Sequence, residues 1–331
     1  MYHFIINPRS RSGAGYRIWR QLKPLLAQER ISYRAHFTRY AGHAAELARS
    51  ITEAPSPAEA SPFYSGSEAC AGEPCTVVVL GGDGTLNEVA CGLCLQSRPV
   101  LGYIPTGSGN DFAKGLGLPR DPAEALHNIL HPAQIRRIDI GLLSCGSSSR
   151  RFVGSSGMGF DAAVCQEALT SPLKPLLNRF HLGKLTYVLI ALRQLLTLKP
   201  SPLALRLDGR EKLFFPRAYF FCAMNLPFEG GGFRFTPRAC PDDGLLDVCI
   251  LHSVGKLKIL ALLPLALFGL HPHFRGVTVR RCQKLQALSS VPLAVHADGE
   301  SFQRRSRVTF TCLGQKLSVI SGNSKGNRKG A

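Results

Sequence analysis

Residues 77–89 read VVVLGGDGTLNEV, and few folds accommodate such a stretch. Val77 to Leu80 have no polar face, so they suit a strand buried on both sides of a sheet. They run into Gly81, Gly82 and Gly84, which let backbone N–H groups approach a ligand closely, and then into a helix start near Thr85, Leu86 and Asn87. Strand, glycine turn and helix N-terminus form the layout of a phosphate-binding turn. The stretch has no GKS or GKT ending, and Asn87 stands where GxGxxG needs its last glycine. Asp83 places a carboxylate where an anionic ligand comes closest. That makes sense if the ligand arrives with a cation, because Mg2+ takes oxygen ligands and bridges carboxylate to phosphate.

The layout recurs. Strand LGYI (101–104) leads into PTGSGNDFA (105–113), where Thr106, Gly107, Ser108, Gly109 and Asn110 offer donors and Asp111 a second carboxylate. The first strand, HFII (3–6), leads into NPRSRSGAG, a turn-rich segment with Asn7, Pro8, Arg9, Ser10 and Arg11, whose guanidinium groups favour phosphate. Helical spacing follows in YRIWRQLKPLLAQE, then strand ISYRAHFT and helix GHAAELARSIT. Residues 54–74, rich in Pro, Ser, Ala and Gly, read as a surface insertion. Alternating strands and helices imply a mostly parallel sheet, with ligands at the carboxyl ends of its strands.

After about residue 135 the texture changes to short strand-like runs between polar turns, which predicts a mainly antiparallel second domain. Two apolar helical stretches interrupt it, at 181–198 and 256–270, and the basic tail 323–331 reads as disordered. The chain has 331 residues, enough for two cores. Its 40 Lys and Arg against 22 Asp and Glu give +18, a field that favours polyanions. The basic residues are dispersed and show no binding module, so no nucleic-acid partner is expected. MYHFIINP lacks a signal-peptide n-region, and LKILALLPLALFGL (257–270) is too short to span a bilayer. A cytoplasmic protein that visits the inner membrane face is expected. The 11 cysteines show no disulfide framework; Cys91 and Cys94, a lone CxxC, read as packed free thiols one turn apart on a helix.

GGDGTLNEV, PTGSGNDFA and INPRSRSGAG together resemble the diacylglycerol kinase catalytic-domain family, which includes bacterial lipid kinases and the sphingosine and ceramide kinases. EGGGFRFTPRACPDDGLLDVCIL (229–251) looks like that family's second-domain stretch and HADGE (296–300) like its late DGE motif. The resemblance implies an α/β plus β fold: an N-terminal nucleotide-binding α/β domain of NAD kinase and diacylglycerol kinase type (1–135), then a mainly antiparallel β-sandwich (136–322). It implies ATP and Mg2+ as cofactors and a lipid hydroxyl at the membrane surface as acceptor, with room for a homodimer. It places ATP at residues 81–87 and Thr106, with Asn7 to Arg11 near the phosphates and a nucleotide-contacting Thr at Thr38. It implies a structural Mg2+ at Asp243 with the carbonyls of Cys240 and Leu245. Asp298 and Glu300 resemble the residues that serve the acceptor hydroxyl, Glu300 matching the proton acceptor. On a strand their spacing would put both on one face; in a turn they would diverge.

GGDGT also fits NAD kinases, so an NAD kinase-like enzyme with a soluble acceptor is the rival reading, and a basic nucleic-acid-binding protein a weaker one. The stretches at 181–198 and 256–270 suit either a lipid entrance or core helices.

Overall fold

A computed structural model describes residues 1–53, 75–170, 183–197 and 199–322. The expected insertion at 54–74 and tail at 323–331 lie outside them.

The first half alternates as its sequence implies: β1 (Tyr2–Ile6), α1 (Ser10–Gln28), β2 (Tyr33–Phe37), α2 (His43–Thr52), β3 (Thr76–Gly81), α3 (Asp83–Gly92), β4 (Val100–Pro105), α4 (Asp111–Leu116) and α5 (Pro122–Leu130). The strands lie parallel in the order β2-β1-β3-β4. β3 shows why the apolar run has no alternation. Val77 and Val79 pack with Leu86 and Val89 on one face, while Val78 and Leu80 pack with Phe4 and Trp19 on the other. A strand covered on both faces has no place for a polar residue.

Two local expectations need correction. The basic segment read as a turn is the first part of α1, which begins at Ser10. Gly15 makes this start possible, since a Cβ there would fall 2.1 Å from the Asn7 carbonyl oxygen. The helix N-terminus therefore stands directly at the end of β1. Cys94 lies beyond the last residue of α3, so the two thiols do not share a helix. Both are free thiols; Cys91 Sγ donates to the Arg151 carbonyl at 3.4 Å.

The second half comprises β5 (Gln134–Cys145), β6 (Ser148–Phe152), β7 (Ser155–Gly159), α6 (Phe160–Thr170), α7 (Gly183–Thr197), β8 (Ser201–Leu207), β9 (Glu211–Met224), β10 (Leu246–His252), α8 (Lys256–Leu267), β11 (Val277–Cys282), β12 (Lys284–Ala297) and β13 (Glu300–Ser321). These strands pair antiparallel with one another. Phe152, Phe221 and Phe310 fill the core of this half. A separate cluster forms where residues of α7 and α8 cover Phe220, Cys222, Cys249 and Leu251.

β13 is the seam. Its first part pairs antiparallel with β12, and its end pairs parallel with β4 through Ser318↔Val100. The chain therefore returns to the first sheet before it ends. Buried Asp139 of β5 fixes this arrangement by accepting Gly244 N–H at 2.7 Å and pairing with Lys316 Nζ at 2.9 Å. Among the described residues no helix is long and apolar enough to cross a membrane.

Candidate active site

The carboxyl ends of β1, β3 and β4 open on a cleft of about 530 Å3, closed on its far side by residues of the second half. Glycines set its floor. Gly82 and Gly107 meet backbone to backbone, and a Cβ on Gly107 would lie 2.9 Å from Gly82 Cα. No side chain larger than hydrogen lets the two turns lie this close. Hydroxyl and amide groups lock the turns to the start of α1: Asn7 Nδ2 donates to Thr85 Oγ1 at 2.9 Å, and Ser10 and Thr106 hydroxyls pair at 2.8 Å.

From the first segment Asn7, Arg9, Ser10, Arg11 and Thr38 line the cleft. From the two glycine turns Gly82, Asp83, Gly84, Thr85, Leu86, Gly107, Gly109 and Asp111 line it as well. Pro8, Gly81, Asn87, Thr106 and Asn110 do not line it and act behind it. Asn110 holds the second turn through Nδ2 to the Gly107 carbonyl at 3.0 Å. Asn87 brackets the two halves, accepting from Arg150 Nη2 at 2.6 Å and donating to Asp298 Oδ2 at 2.8 Å.

Asp83 faces α4, accepting N–H groups of Asp111 at 3.2 Å and Phe112 at 3.4 Å. Burial first, and then the neighbouring Asp111 carboxylate, push its pKa up to about 6, while those N–H groups pull it back. The two carboxylates flank Gly109, where a Cβ would lie 3.2 Å from Asp83 Oδ2 and 3.6 Å from Asp111 Oδ2. Lys114 Nζ holds Asp111 Oδ1 at 2.6 Å, and Asp111 Oδ2 accepts Gly231 N–H at 2.6 Å.

The DGE motif forms the turn between β12 and β13, with Asp298 at φ 48° and Gly299 at φ 82°. Its two acids therefore diverge. Asp298 accepts four hydrogen bonds, from the N–H groups of Val153, Gly154 and Ser155 and from Asn87 Nδ2. Glu300 points at the first glycine turn, with Oε1 2.8 Å from where a Cβ on Gly84 would sit. Ser155 supplies one of the donors that hold Asp298, and buried Ser156 donates its hydroxyl to the His296 carbonyl.

The residues implied for a structural Mg2+ lie outside the cleft. Asp243 Oδ1 accepts Leu245 N–H at 3.0 Å, while Oδ2 pairs with the Arg281 guanidinium, which also meets Asp247. Cys240 Sγ donates to Asp242. The carboxylate assigned to the metal is thus paired with a side-chain cation, the Arg281 guanidinium.

A second cavity, of about 380 Å3, lies between β9, β10 and helices α6, α7 and α8, the last two drawn from the stretches expected as a lipid entrance or as core helices. Its walls are apolar, with Phe160, Phe220, Phe233, Phe235, Leu251 and Leu262 among them. Cys165, Glu229 and Gly230 line both this cavity and the cleft, so the two meet there. An acid directly before three glycines was the available signal for Glu229.

Residues 1–143 match the family model described as the diacylglycerol kinase catalytic domain, and residues 154–321 that of the YegS C-terminal NAD kinase beta sandwich-like domain. The chain is 30% identical over 303 residues to YtlR of Bacillus subtilis (strain 168), covering 90% of this chain and 93% of that protein. It is 29% identical over 238 residues to a diacylglycerol kinase of the same organism, covering 72% and 75%. A crystal structure of a diacylglycerol kinase from Bacillus anthracis str. Sterne superposes with a TM-score of 0.69 at 20% identity, covering 97% of this chain and 96% of that one. An NAD kinase from Archaeoglobus fulgidus in complex with ATP superposes with a TM-score of 0.51 at 14% identity, covering 97% and 94%. At these identities the structural likeness shows the fold alone.

Proposed function

The chain belongs to the diacylglycerol kinase and YegS-like lipid kinase family, and from that premise we propose that it transfers the γ-phosphoryl group of ATP to the hydroxyl of an acyl lipid. The observation that carries this reading is the junction of the cleft with the apolar cavity at Glu229 and Gly230. A soluble acceptor needs no dry cavity of about 380 Å3 next to its phosphate site, whereas acyl chains do.

The glycine turns and the start of α1 supply N–H groups and the Arg9 and Arg11 guanidinium groups for the nucleotide phosphates. Asp83 and Asp111 are close, partly buried carboxylates, an oxygen donor set that suits Mg2+. A divalent cation bound there would neutralise both them and the phosphate oxygens. Glu300 faces the first turn, where the acceptor hydroxyl must meet the γ-phosphate. A lipid hydroxyl is too weak an acid to ionise first, so Glu300 orients it and takes its proton late, as the phosphoryl group transfers. Asp298 holds the turn that aims Glu300.

The acceptor is taken from a membrane surface. Leu257 is 85% and Phe268 71% exposed at α8, beside exposed Lys256 and Lys258. Apolar anchors at the two ends of α8, one of them flanked by lysines, on a chain of net charge +18, suit an anionic leaflet. The test is transfer of label from γ-labelled ATP, with Mg2+, to a panel of lipids in mixed micelles and to NAD. Label in a lipid and none in NAD is expected; label in NAD and none in any lipid overturns the reading.

A further inference from the structure

Glu229 stands where the two cavities meet, 7% exposed, and both of its carboxyl oxygens lack a hydrogen-bond partner. The wholly buried His296 lies beside it. Gly299 N–H donates to His296 Nδ1 at 3.1 Å, so Nδ1 uses its lone pair and the ring proton sits on Nε2. That N–H is directed at Asp161 Oδ2, 3.2 Å away. Glu229 Oε1 lies 3.0 Å from Nε2 but is left unpartnered, off the N–H direction. An unpaired carboxylate is costly beside an apolar cavity, so with no donor on either oxygen the site suits the acid form, a group with an O–H to donate; burial pushes the pKa up in the same direction, against the pull of His296.

The backbone keeps this group in place. Glu229 carbonyl accepts Gly232 and Phe233 N–H groups, and Gly231 N–H is fastened to Asp111 in the cleft. Gly230, Gly231 and Gly232 all have positive φ, so the turn depends on glycine. A rigid turn therefore presents a buried, unsatisfied carboxyl between an apolar cavity and a phosphate site. Buried polar groups of this kind are satisfied by a ligand or they destabilise the fold.

Resting on the lipid-kinase reading above, we propose that Glu229 is the specificity-determining residue for the acceptor's ester linkage, donating its O–H to the carbonyl of an acylglycerol. In an acylglycerol the ester stands between the acyl chain, here in the apolar cavity, and the hydroxyl at Glu300. The same position in an alkyl-ether lipid offers no carbonyl, and in a sphingoid base it offers an ammonium group that needs a carboxylate. His296 links this contact to the catalytic turn, because the N–H it accepts belongs to Gly299, between Asp298 and Glu300.

The test compares matched 1,2-diacylglycerol and 1,2-dialkylglycerol in mixed micelles for the wild type, Glu229→Gln and Glu229→Leu. One neutral hydrogen bond predicts a wild-type preference in kcat/KM of about tenfold for the ester lipid. Glu229→Gln keeps an N–H donor and keeps most of that preference. Glu229→Leu loses it, with the larger fall on the ester lipid, and an unchanged circular dichroism spectrum with a cooperative melt shows that the enzyme is folded. Equal wild-type rates on both lipids, or a preference that survives in Glu229→Leu, overturn the assignment while leaving the lipid kinase standing. A sphingoid base preferred by the wild type and lost in Glu229→Gln overturns it in favour of a carboxylate–ammonium contact. One transition-metal ion per chain, removed by Glu229→Gln, overturns it in favour of a metal site on Cys165, Glu229 and His296, whose ligand atoms lie within 4.8 Å of one another. A wild type that labels no lipid removes the lipid-kinase premise itself.

Discussion

Asp298→Asn separates the two acids of the DGE turn. Oδ1 accepts Gly154 N–H at 2.8 Å and Ser155 N–H at 2.9 Å, while Oδ2 accepts Val153 N–H at 2.8 Å and Asn87 Nδ2 at 2.8 Å. An amide keeps one acceptor oxygen and turns its NH2 toward the other two donors. Two charge-assisted hydrogen bonds are lost, each worth roughly 1.5–3 kcal/mol. The four bonds share one carboxylate, so the losses overlap and about 3 kcal/mol is expected rather than the full sum. Asparagine tolerates positive φ as aspartate does, so the 48° backbone at this position adds no strain, unlike in an alanine variant. For a chain of 331 residues that loss lowers Tm by roughly 4 °C, and misaiming Glu300 lowers turnover as well. Glu300→Gln is the counterpart: it removes no hydrogen bond that holds the fold, so Tm stays within about 1 °C while kcat falls roughly 10²–10⁴-fold. Calorimetry and the labelled-ATP assay on both variants decide the matter. An Asp298→Asn protein that melts with the wild type, beside a Glu300→Gln protein that melts early, would mean the roles are reversed.

Four further outcomes follow from the same geometry. Asp83 titrates near 6 in the fold against 3.8 for a free side chain, so its contribution to stability is full below about pH 4 and is lost as pH rises through 6. Asp83→Asn should therefore raise Tm at pH 8, by about 1–3 kcal/mol of stability after loss of part of the α4 cap, with no gain at pH 4 and turnover abolished; equal Tm shifts at both pH values would refute the burial argument. Gly84→Ala brings a methyl to 2.8 Å from Glu300 Oε1, so kcat should fall roughly 10²-fold in a protein that melts normally. Arg281→Ala leaves Asp243 and Asp247 without their cation, and its Tm without nucleotide should rise with added Mg2+ while that of the wild type does not. Leu257→Asp with Phe268→Asp should abolish sedimentation with anionic vesicles yet leave turnover of a water-soluble short-chain diacylglycerol unchanged.

What the sequence makes legible is governed by how local the causes are. β3 announces itself because burial on both faces demands an unbroken apolar run, and the glycines after it because two backbones must touch there. The start of α1 is hidden for a related reason: Gly13 and Gly15 look like turn residues, yet Gly15 is there to let a helix begin against the Asn7 carbonyl. β13 is hidden because it serves three partners, β12, β5 and β4. Its register breaks between Cys312 and Lys316 as it passes from β12 toward β4, so no single periodicity runs through its 22 residues. The DGE acids obey neither strand nor helix spacing, since Asp298 and Gly299 both have positive φ. Glu229, His296 and Asp161 lie in three separate segments, and only the sheet, by pairing β7 with both β9 and β12, brings those segments together. The phosphate end of the site is thus written in contiguous turns, where backbone geometry alone sets the chemistry. The acceptor end is built by strand pairing over long stretches of chain. Specificity can therefore change at the acceptor end through single residues such as Glu229, while the glycine turns of the phosphate end stay as they are.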